Sequence, residues 1–362
     1  MKSRRVIISI YDDEENPYYA GGGPAVVRRV ASALAQDYDV VVLTAGRRLA
    51  RREAGAVTYV YLPVLLAGAR GSQLLWALVL PFVALFASYA LWLESFTPPF
   101  SSNLVPLFTR RPVIGVAQSL SGRVMAARYR VNFPLRLERL LLRRYRDVVV
   151  LNEYDAEVVR RCSPRTDVHV ITNWVEMPTT AVTDAKDGEY AVFLGRIDVR
   201  LKGLDLLLDA YRKHPEDLLP LVIAGAGPKP QEQSLARLIE TCGAPVRWVG
   251  KVDDLGRTGL LDRAALVVVP SREESFSLAA LEALSHGRPV VHFDLPQLSW
   301  MPPGAHLSVP SFDVGALAGA IADYSRDPVR RSAAGHCAHD FAENFNQRNR
   351  SRYLSLVRAR LS

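Results

Sequence analysis

Cysteine is scarce in this sequence, which contains only Cys162, Cys242 and Cys337 among its 362 residues. The three lie far apart, and none forms a CxxC pair or a Cys/His ligand spacing, so we expect no structural zinc site. A reduced, cytoplasmic setting suits so few cysteines. The N-terminal "MKSRRVIISI" has too short an apolar run for a signal peptide and predicts a first buried strand.

Lysine is also scarce, since six of the 45 basic residues are lysines and the rest are arginines. The net charge of +8 favours an anionic partner such as a nucleotide, a nucleic acid or an acidic membrane surface. No recognised nucleic-acid-binding module and no basic strand with interleaved aromatics is present, so nucleic acid is not expected. GxGxxG and Walker loops are missing too, so nothing supports dinucleotide or ATP specificity.

Charged residues are absent from residues 74–93, "LLWALVLPFVALFASYALWL". This run is long enough to span a bilayer, but Pro81 interrupts it and its end is strand-like. We expect a buried helix followed by a buried strand, with an interfacial membrane helix and a true span as alternatives. An arginine cluster follows, and it is typical either of a solvated helix or of peripheral docking to an anionic membrane. Its members are Arg123, Arg128, Arg130, Arg136, Arg139, Arg143, Arg144 and Arg146.

Apolar strand-like runs alternate with helical patterns through most of the chain, which predicts an α/β protein with parallel sheets. The alternation stops at residues 175–189, a polar stretch that reads as a linker, and then restarts. We therefore predict two doubly wound, Rossmann-like domains, residues 1–174 and 175–344. The amphipathic end of the chain, 345–362, stands apart from this series and is predicted to pack back on the first domain.

Several candidate binding residues lie where predicted strands end, the edge that faces the ligand in open α/β sheets. Gly22 and Gly23 precede a helix, which suits either an anion-binding turn or a plain tight turn. Arg196 follows a strand and Lys202 opens the next helix, so the two can meet over a diphosphate or remain solvated. Gly225, in "IAGAGP", allows close approach of the backbone to a ligand or a sharp turn.

Two carboxylates, Glu274 and Glu282, stand in "PSREESFSLAALEALSHGRPVV", the second within an otherwise apolar helical run. Eight residues are slightly more than two helical turns, so both can point along one face. A carboxylate accepts both hydroxyls of a vicinal diol, as in a ribose or a hexose. Two solvated helix glutamates are the alternative.

The spacing Glu274–x7–Glu282 matches the EX7E motif of retaining GT-B glycosyltransferases, and the surrounding residues resemble glycosyltransferase family 4. The resemblance extends to "GGGPAVVRRVASAL", "ITNWVE", "LGRIDVRLKG", "IAGAG" and "WVGKV" in the same order. It implies a GT-B fold whose second domain binds a nucleotide-diphosphate sugar and whose first binds a hydroxyl acceptor. That acceptor is a glycan, a lipid-linked sugar or a small molecule.

The resemblance also implies roles for individual residues. Arg196 and Lys202 would neutralise the donor diphosphate, Glu274 would hold the donor sugar and Glu282 the ribose. Backbone contacts would come from the remaining donor-side positions, Gly22, Gly23, Gly225, Val252, Phe276, Ser277 and Leu278. No cofactor is implied, and since no DxD pair follows an apolar strand we expect no essential metal.

The sequence departs from the family pattern at three positions. Gln118 stands where a histidine is usual, and it can hydrogen-bond a hydroxyl on the acceptor side but cannot carry a proton. Trp174 replaces a residue that is commonly small, and Ser277 stands where glycine or proline is frequent. The expected activity is transfer of a sugar from a UDP- or GDP-sugar with retention. A UDP-sugar epimerase and a non-catalytic sugar-nucleotide-binding partner of a membrane assembly are the alternatives.

Overall fold

The chain divides into two compact units, residues 1–173 with 349–362, and residues 174–348. The computed structural model describes residues 4–13, 16, 22–96, 103–120, 122, 132–179, 181–214 and 216–362. Arg123, Arg128 and Arg130 of the predicted arginine cluster lie outside these residues. So does most of the glycine-rich turn before Gly22.

The first unit contains an eight-stranded sheet in the order β3-β4-β2-β1-β5-β6-β7-β8. Its strands are β1 Arg5–Ser9, β2 Asp39–Ala45, β3 Ala50–Ala54, β4 Val57–Leu62, β5 Leu91–Ser95, β6 Val113–Ala117, β7 Asp147–Val150 and β8 Asp167–Val170. The strands pair in parallel as predicted, except at one edge, where β3 runs antiparallel to β4. The sequence of β3, "ARREA", is mostly exposed, so it lacks the apolar signal of the buried strands.

The sheet of the first unit is accompanied by four described helices. They are α1 Gly23–Leu34, α2 Gly68–Phe86, α3 Phe133–Leu142 and α4 Glu153–Cys162. Two of them, α1 and α4, begin at clear start signals. Pro24 stands in the first turn of α1, where a missing N–H costs nothing. Asn152 caps α4 by accepting a hydrogen bond from the N–H of Asp155 at 2.8 Å.

Helix α2 differs from the expected buried helix because one of its faces is exposed. Trp76, Leu80 and Ala84 are buried, whereas a stripe on the other face is at least half exposed. The stripe consists of Leu74, Leu78, Phe82, Leu85 and Phe86. Pro81 lies inside the helix, which ends at Phe86 before β5. Among the described residues, no helix combines the length and the apolar character needed to cross a membrane.

The second unit contains a six-stranded, wholly parallel sheet in the order β11-β10-β9-β12-β13-β14. Its strands are β9 Tyr190–Leu194, β10 Leu221–Ala224, β11 Val246–Trp248, β12 Ala264–Val269, β13 Val290–Phe293 and β14 His306–Val309. The alternation of sequence patterns missed β14, "HLSV", since only Val309 is fully buried there. The helices are α5 Leu204–Lys213, α6 Lys229–Glu240, α7 Asp254–Arg263, α8 Leu278–Ser285 and α9 Val314–Arg326.

The chain ends in one helix of 34 residues, α10 Pro328–Leu361, rather than in a separate short helix. From Asn349 onward its residues belong to the first unit. There Arg360 donates two hydrogen bonds to Asp147, at 2.6 and 2.9 Å. Burial raises the pKa of Asp147, but His169 and Arg360 outweigh it and lower the pKa to about 2.

Candidate functional site

Two glycines, Gly203 directly before α5 and Gly225 directly after β10, bring three loops of the second unit into backbone contact. A Cβ on Gly203 would lie 1.8 Å from the carbonyl oxygen of Pro270, and one on Gly225 would lie 1.7 Å from that of Gly195. Both glycines have positive φ, +66° and +150°. Only glycine satisfies both constraints, so the loops that follow β9, β10 and β12 converge at one edge of the sheet.

The loop after β9 carries Arg196 and Lys202, the two cations predicted to meet a diphosphate. The side chain of Arg196 is paired with Asp198 at 3.8 Å and is one third exposed. Arg272 fixes the loop by donating to the carbonyl oxygen of Arg200 at 2.7 Å and by a two-pronged pair with Asp205. Arg196 and Lys202 therefore lie on a loop that the hydrogen bonds of Arg272 hold in place.

Glu274 lies against Lys202, and this pair is the centre of the site. The Nζ atom of Lys202 is 2.5 Å from Oε1 of Glu274, and the two side chains are 22% and 9% exposed. Ser271 donates a second hydrogen bond to the same oxygen at 2.7 Å. A carboxylate and an ammonium group held together at the strand ends provide both an acceptor for hydroxyls and a donor for phosphate.

Glu282 lies on α8 and has a different cationic partner. Arg257, in the first turns of α7, donates to Oε1 of Glu282 at 3.1 Å. The glutamate side chain is 14% exposed. Its neighbours Leu281 and Leu284 are fully buried, whereas Glu282 lies on a partly accessible face of the helix. The structure thus gives each of the two glutamates its own basic partner.

The turn between the two glutamates has a strained backbone at Ser277. Its φ is 66° and its ψ is 87°, which costs a non-glycine residue roughly 1–3 kcal/mol. The Oγ atom of Ser277 accepts from the N–H of Ala280 at 3.3 Å and so caps α8. The first two N–H groups of α8, including that of Leu278, have no partner within the helix, as at any helix start. The side chain of Phe276 is buried inside the unit.

Two further predicted donor-side residues lie on neighbouring loops. The N–H of Gly225 donates to the carbonyl oxygen of Gly250 at 2.7 Å, which joins the loops after β10 and β11. Val252 is half-buried and precedes α7. Asp253, in "VDDL", caps α7 by accepting from the N–H of Gly256 at 2.8 Å.

Predicted residues of the first unit are Gln118, Gly22 and Gly23. Gln118 follows β6, and its Oε1 accepts from Nδ2 of Asn173 at 3.0 Å. Its amide N–H₂ group is therefore the part that faces other partners. Gly22 and Gly23 stand where α1 begins, and Gly22 has an ordinary helical φ of −76°.

A buried carboxyl at the end of β5, Glu94, was not singled out from the sequence. Burial raises the pKa of Glu94 to about 8, so its carboxyl group is protonated at neutral pH. Tyr145 donates to it at 2.7 Å. The only sequence signal was a glutamate inside an apolar strand.

The histidines of the second unit include a hydrogen-bonded pair, the buried His292 and the half-buried His306. His292 donates from Nδ1 to the carbonyl oxygen of Phe293 at 2.7 Å, so its Nε2 accepts from His306 at 2.9 Å. Burial lowers the pKa of His292 to about 4, and the ring is neutral. His292 is thus a structural residue. Among the described residues, no three His, Cys, Asp or Glu side chains cluster closely enough to hold a metal ion.

Three contacts of the site were missed by sequence reasoning. Ser271 and Arg257 bind the two glutamates, and Trp300 donates to the carbonyl oxygen of Phe276. Each partner is 3 to 25 residues away in sequence, and no spacing rule connects them. A serine three residues before Glu274 was the only local signal.

Sequence comparison relates the second unit to a known protein family. Residues 188–327 match the family described as "Glycosyl transferases group 1". The resemblance to glycosyltransferase family 4 is thereby confirmed for the second unit, which contains Arg196, Lys202, Glu274 and Glu282.

Two curated relatives match part of the chain. The phosphatidyl-myo-inositol mannosyltransferase of Mycobacterium leprae (strain TN) is 35% identical over 150 residues, 40% of this chain and 39% of the relative. The D-inositol 3-phosphate glycosyltransferase of Xylanimonas cellulosilytica is 35% identical over 156 residues, 40% of this chain and 37% of the relative. The matched segments thus span about two fifths of each relative's length.

Solved structures match over nearly the whole chain. Sucrose-phosphate synthase from Thermosynechococcus elongatus has a TM-score of 0.82 at 20% identity, covering 98% of both chains. Anabaena HepE, solved in complex with UDP and glucose, has a TM-score of 0.72 at 16% identity, covering 97% of this chain and 99% of that chain. At such identities the likeness shows the fold, and the predicted GT-B fold is confirmed.

Proposed function

We propose that this protein is a glycosyltransferase that moves a sugar from a nucleotide-diphosphate sugar to a hydroxyl group, with retention at the anomeric carbon. The observation that carries the proposal is the pair of Lys202 and Glu274, with Arg196 on the same loop as Lys202, within the segment that matches glycosyl transferases group 1. The nucleotide is bound by the second unit, and no metal is required.

Arg196 and Lys202 act on the leaving group. Negative charge grows on the diphosphate as its bond to the sugar breaks, so cations fixed nearby lower the barrier more than they tighten substrate binding. The guanidinium of Arg196 offers a planar fork and the ammonium of Lys202 a point charge. Their loop is braced by Arg272, which keeps the donors in place before the substrate arrives.

Glu274 and Glu282 recognise hydroxyl groups. Glu274 accepts hydrogen bonds from the hydroxyls of the donor sugar while it stays paired with Lys202. Glu274 therefore binds the sugar, and Lys202 beside it binds the phosphate. Glu282 accepts the two hydroxyls of the ribose, with Arg257 preventing an unpaired negative charge in this largely buried position. Gln118 of the first unit donates a hydrogen bond from its amide group to the acceptor. Inositol-bearing compounds are the first acceptors to test, because both relatives are named for inositol substrates.

The test is release of free nucleotide from UDP-, GDP- and dTDP-sugars, with and without inositol, inositol phosphate or bacterial lipid extract. Lys202→Ala and Glu282→Ala should each weaken nucleotide binding by about tenfold or more, since each removes one charge-assisted hydrogen bond. Lys213→Ala, at an exposed lysine of the same unit, is the matched control and should bind as the wild type does. Unchanged binding in both site variants would refute the assignment.

The same assay separates the alternatives. Intact nucleotide binding without turnover on any acceptor would favour a non-catalytic binding partner. Conversion of the UDP-sugar to its epimer would indicate an epimerase, for which the neutral, buried His292 and the amide of Gln118 offer no proton carrier. Full activity in the presence of EDTA is expected, and loss of activity that Mg²⁺ restores would contradict a metal-free reaction.

We further propose that the first unit makes peripheral contact with an anionic membrane surface. Residues 57–146 contain eleven arginines and no lysine, against two carboxylates, Glu94 and Glu138, both buried. This segment therefore has a formal net charge of +9, and the rest of the chain has −1. The exposed stripe of α2 adds an apolar face within it, and the ring of Phe108 extends that face by lying 6.3 Å from the ring of Phe82.

Vesicle flotation tests this contact. We expect binding to vesicles with phosphatidylglycerol, little binding to pure phosphatidylcholine, and weaker binding at high salt. Leu78→Glu and Phe82→Glu should each weaken binding at least tenfold, since fully burying such a side chain is worth about 1.5–3 kcal/mol. Leu255→Glu, at an 84% exposed leucine of the second unit, is the matched control. Equal loss in the control would contradict a role for the stripe.

A further inference from the structure

We propose that Trp300 is a positioning residue that holds the Phe276–Ser277 turn in the conformation that binds the donor sugar. The inference rests on the proposed function, which assigns this turn to the donor. Trp300 follows β13 and is 24 residues away from Phe276 in sequence, and nothing in its local sequence marks it as part of the site.

The contact combines a hydrogen bond with ring stacking. The indole Nε1–H of Trp300 donates to the carbonyl oxygen of Phe276 at 2.9 Å. The two rings stack with centroids 4.7 Å apart and an interplanar angle of 23°. Phe345 of α10 lies 5.2 Å from Trp300 and 6.3 Å from Phe276, ring to ring, so the three rings form one cluster that holds the indole against the turn.

The hydrogen bond acts on Ser277 through the peptide bond. The carbonyl of Phe276 and the N–H of Ser277 belong to one planar, trans unit, so they point in opposite directions. Fixing the carbonyl toward Trp300 therefore fixes the N–H of Ser277 away from it. The same constraint helps to maintain the positive φ of Ser277, which a serine does not adopt unless its surroundings impose it.

Trp300 has no contact with Glu274, Lys202 or Glu282 among the described hydrogen bonds and ring contacts. Its effect on the donor is indirect, and it falls on the sugar side of the site. Loss of the hydrogen bond should therefore weaken binding of a nucleotide sugar, while a nucleoside diphosphate, held by Arg196, Lys202 and Glu282, should bind as before.

Trp300→Phe tests this because it keeps a stacking ring but removes the N–H donor, together with part of the ring volume. We expect amide exchange in residues 277–282 of the ligand-free protein to become about tenfold faster. By titration, UDP and GDP should bind within twofold of the wild type, and UDP-glucose and GDP-mannose should lose about tenfold. Phe341→Leu is the matched control, since its ring contacts Trp300 and Phe345 but not the turn, and it should leave all values within twofold.

Two results would overturn the inference. One is unchanged amide exchange in Trp300→Phe. The other is faster exchange in this variant without any loss of affinity for the nucleotide sugar that the wild type binds. If the wild type binds no nucleotide sugar, the proposed function fails instead. Exchange in the ligand-free protein then still decides whether Trp300 holds the turn.

Discussion

Replacing Lys202 should weaken the binding of a nucleoside diphosphate, whereas replacing its partner Glu274 should not weaken it. In the ligand-free protein the ammonium group of Lys202 is already bonded to Glu274 at 2.5 Å. A diphosphate must therefore draw Lys202 away from the carboxylate or share it. Glu274→Gln removes the competing charge, whereas Lys202→Met removes the phosphate ligand and keeps the packing of the side-chain stem.

The structure sets the expected sizes. A hydrogen bond to a charged group is worth about 1.5–3 kcal/mol, so Lys202→Met should weaken UDP or GDP binding by about 10- to 100-fold. Glu274→Gln should leave that affinity unchanged or raise it a few fold. For the nucleotide sugar, the same variant loses the charged acceptor of the sugar hydroxyls, and its kcat/KM should fall by about 10- to 100-fold.

Calorimetric titration with UDP, GDP and their sugars measures both affinities, and urea unfolding measures the effect on the fold. Breaking a largely buried pair costs about 3–5 kcal/mol, so Lys202→Met should also lower the free energy of unfolding. Lys213→Met, at an exposed pair with Asp209, should change it by less than about 1 kcal/mol. If Glu274→Gln weakens nucleoside diphosphate binding as much as Lys202→Met does, Glu274 does not compete with the diphosphate for Lys202, and the reasoning is refuted.

Three further predictions concern stability. Ser277→Gly should be at least as stable as the wild type because it removes the backbone strain. Ser277→Ala should lower the free energy of unfolding by about 1 kcal/mol because it removes the helix cap. The reverse order of the two variants in urea unfolding would refute the strain. The protonated carboxyl of Glu94 stabilises the fold fully below pH about 4.5, and this contribution falls by about 1.4 kcal/mol per pH unit until pH about 8. Glu94→Gln should remove that slope, and parallel pH profiles would contradict it. Arg360→Met should cost about 1–3 kcal/mol at neutral pH and progressively less as pH falls toward 2, where Asp147 protonates. The exposed Arg358→Met is its control, and equal losses would show that burial of Asp147 is irrelevant.

Strands and helices were predictable wherever local pattern and burial agree. The apolar runs that became β9, β10 and β12 lie at the centre of a parallel sheet, so every position is buried and the sequence shows it. Prediction failed at sheet edges, where β3 is mostly exposed and β14 is mixed. It also failed for α2, whose apolar residues exceed what its buried face requires. Composition alone cannot distinguish a buried helix from one with an exposed apolar face.

The sequence by itself determined which residues stand at the ends of strands, because strand periodicity and the motif from Glu274 to Glu282 are local properties. Only the tertiary structure decided their partners. Lys202 reaches Glu274 across 72 residues, Arg257 reaches Glu282 across 25, and Trp300 reaches back to Phe276 across 24. These contacts depend on which strands are neighbours in the sheet and on how closely the glycine-bearing loops approach one another, and no local pattern in the chain encodes either.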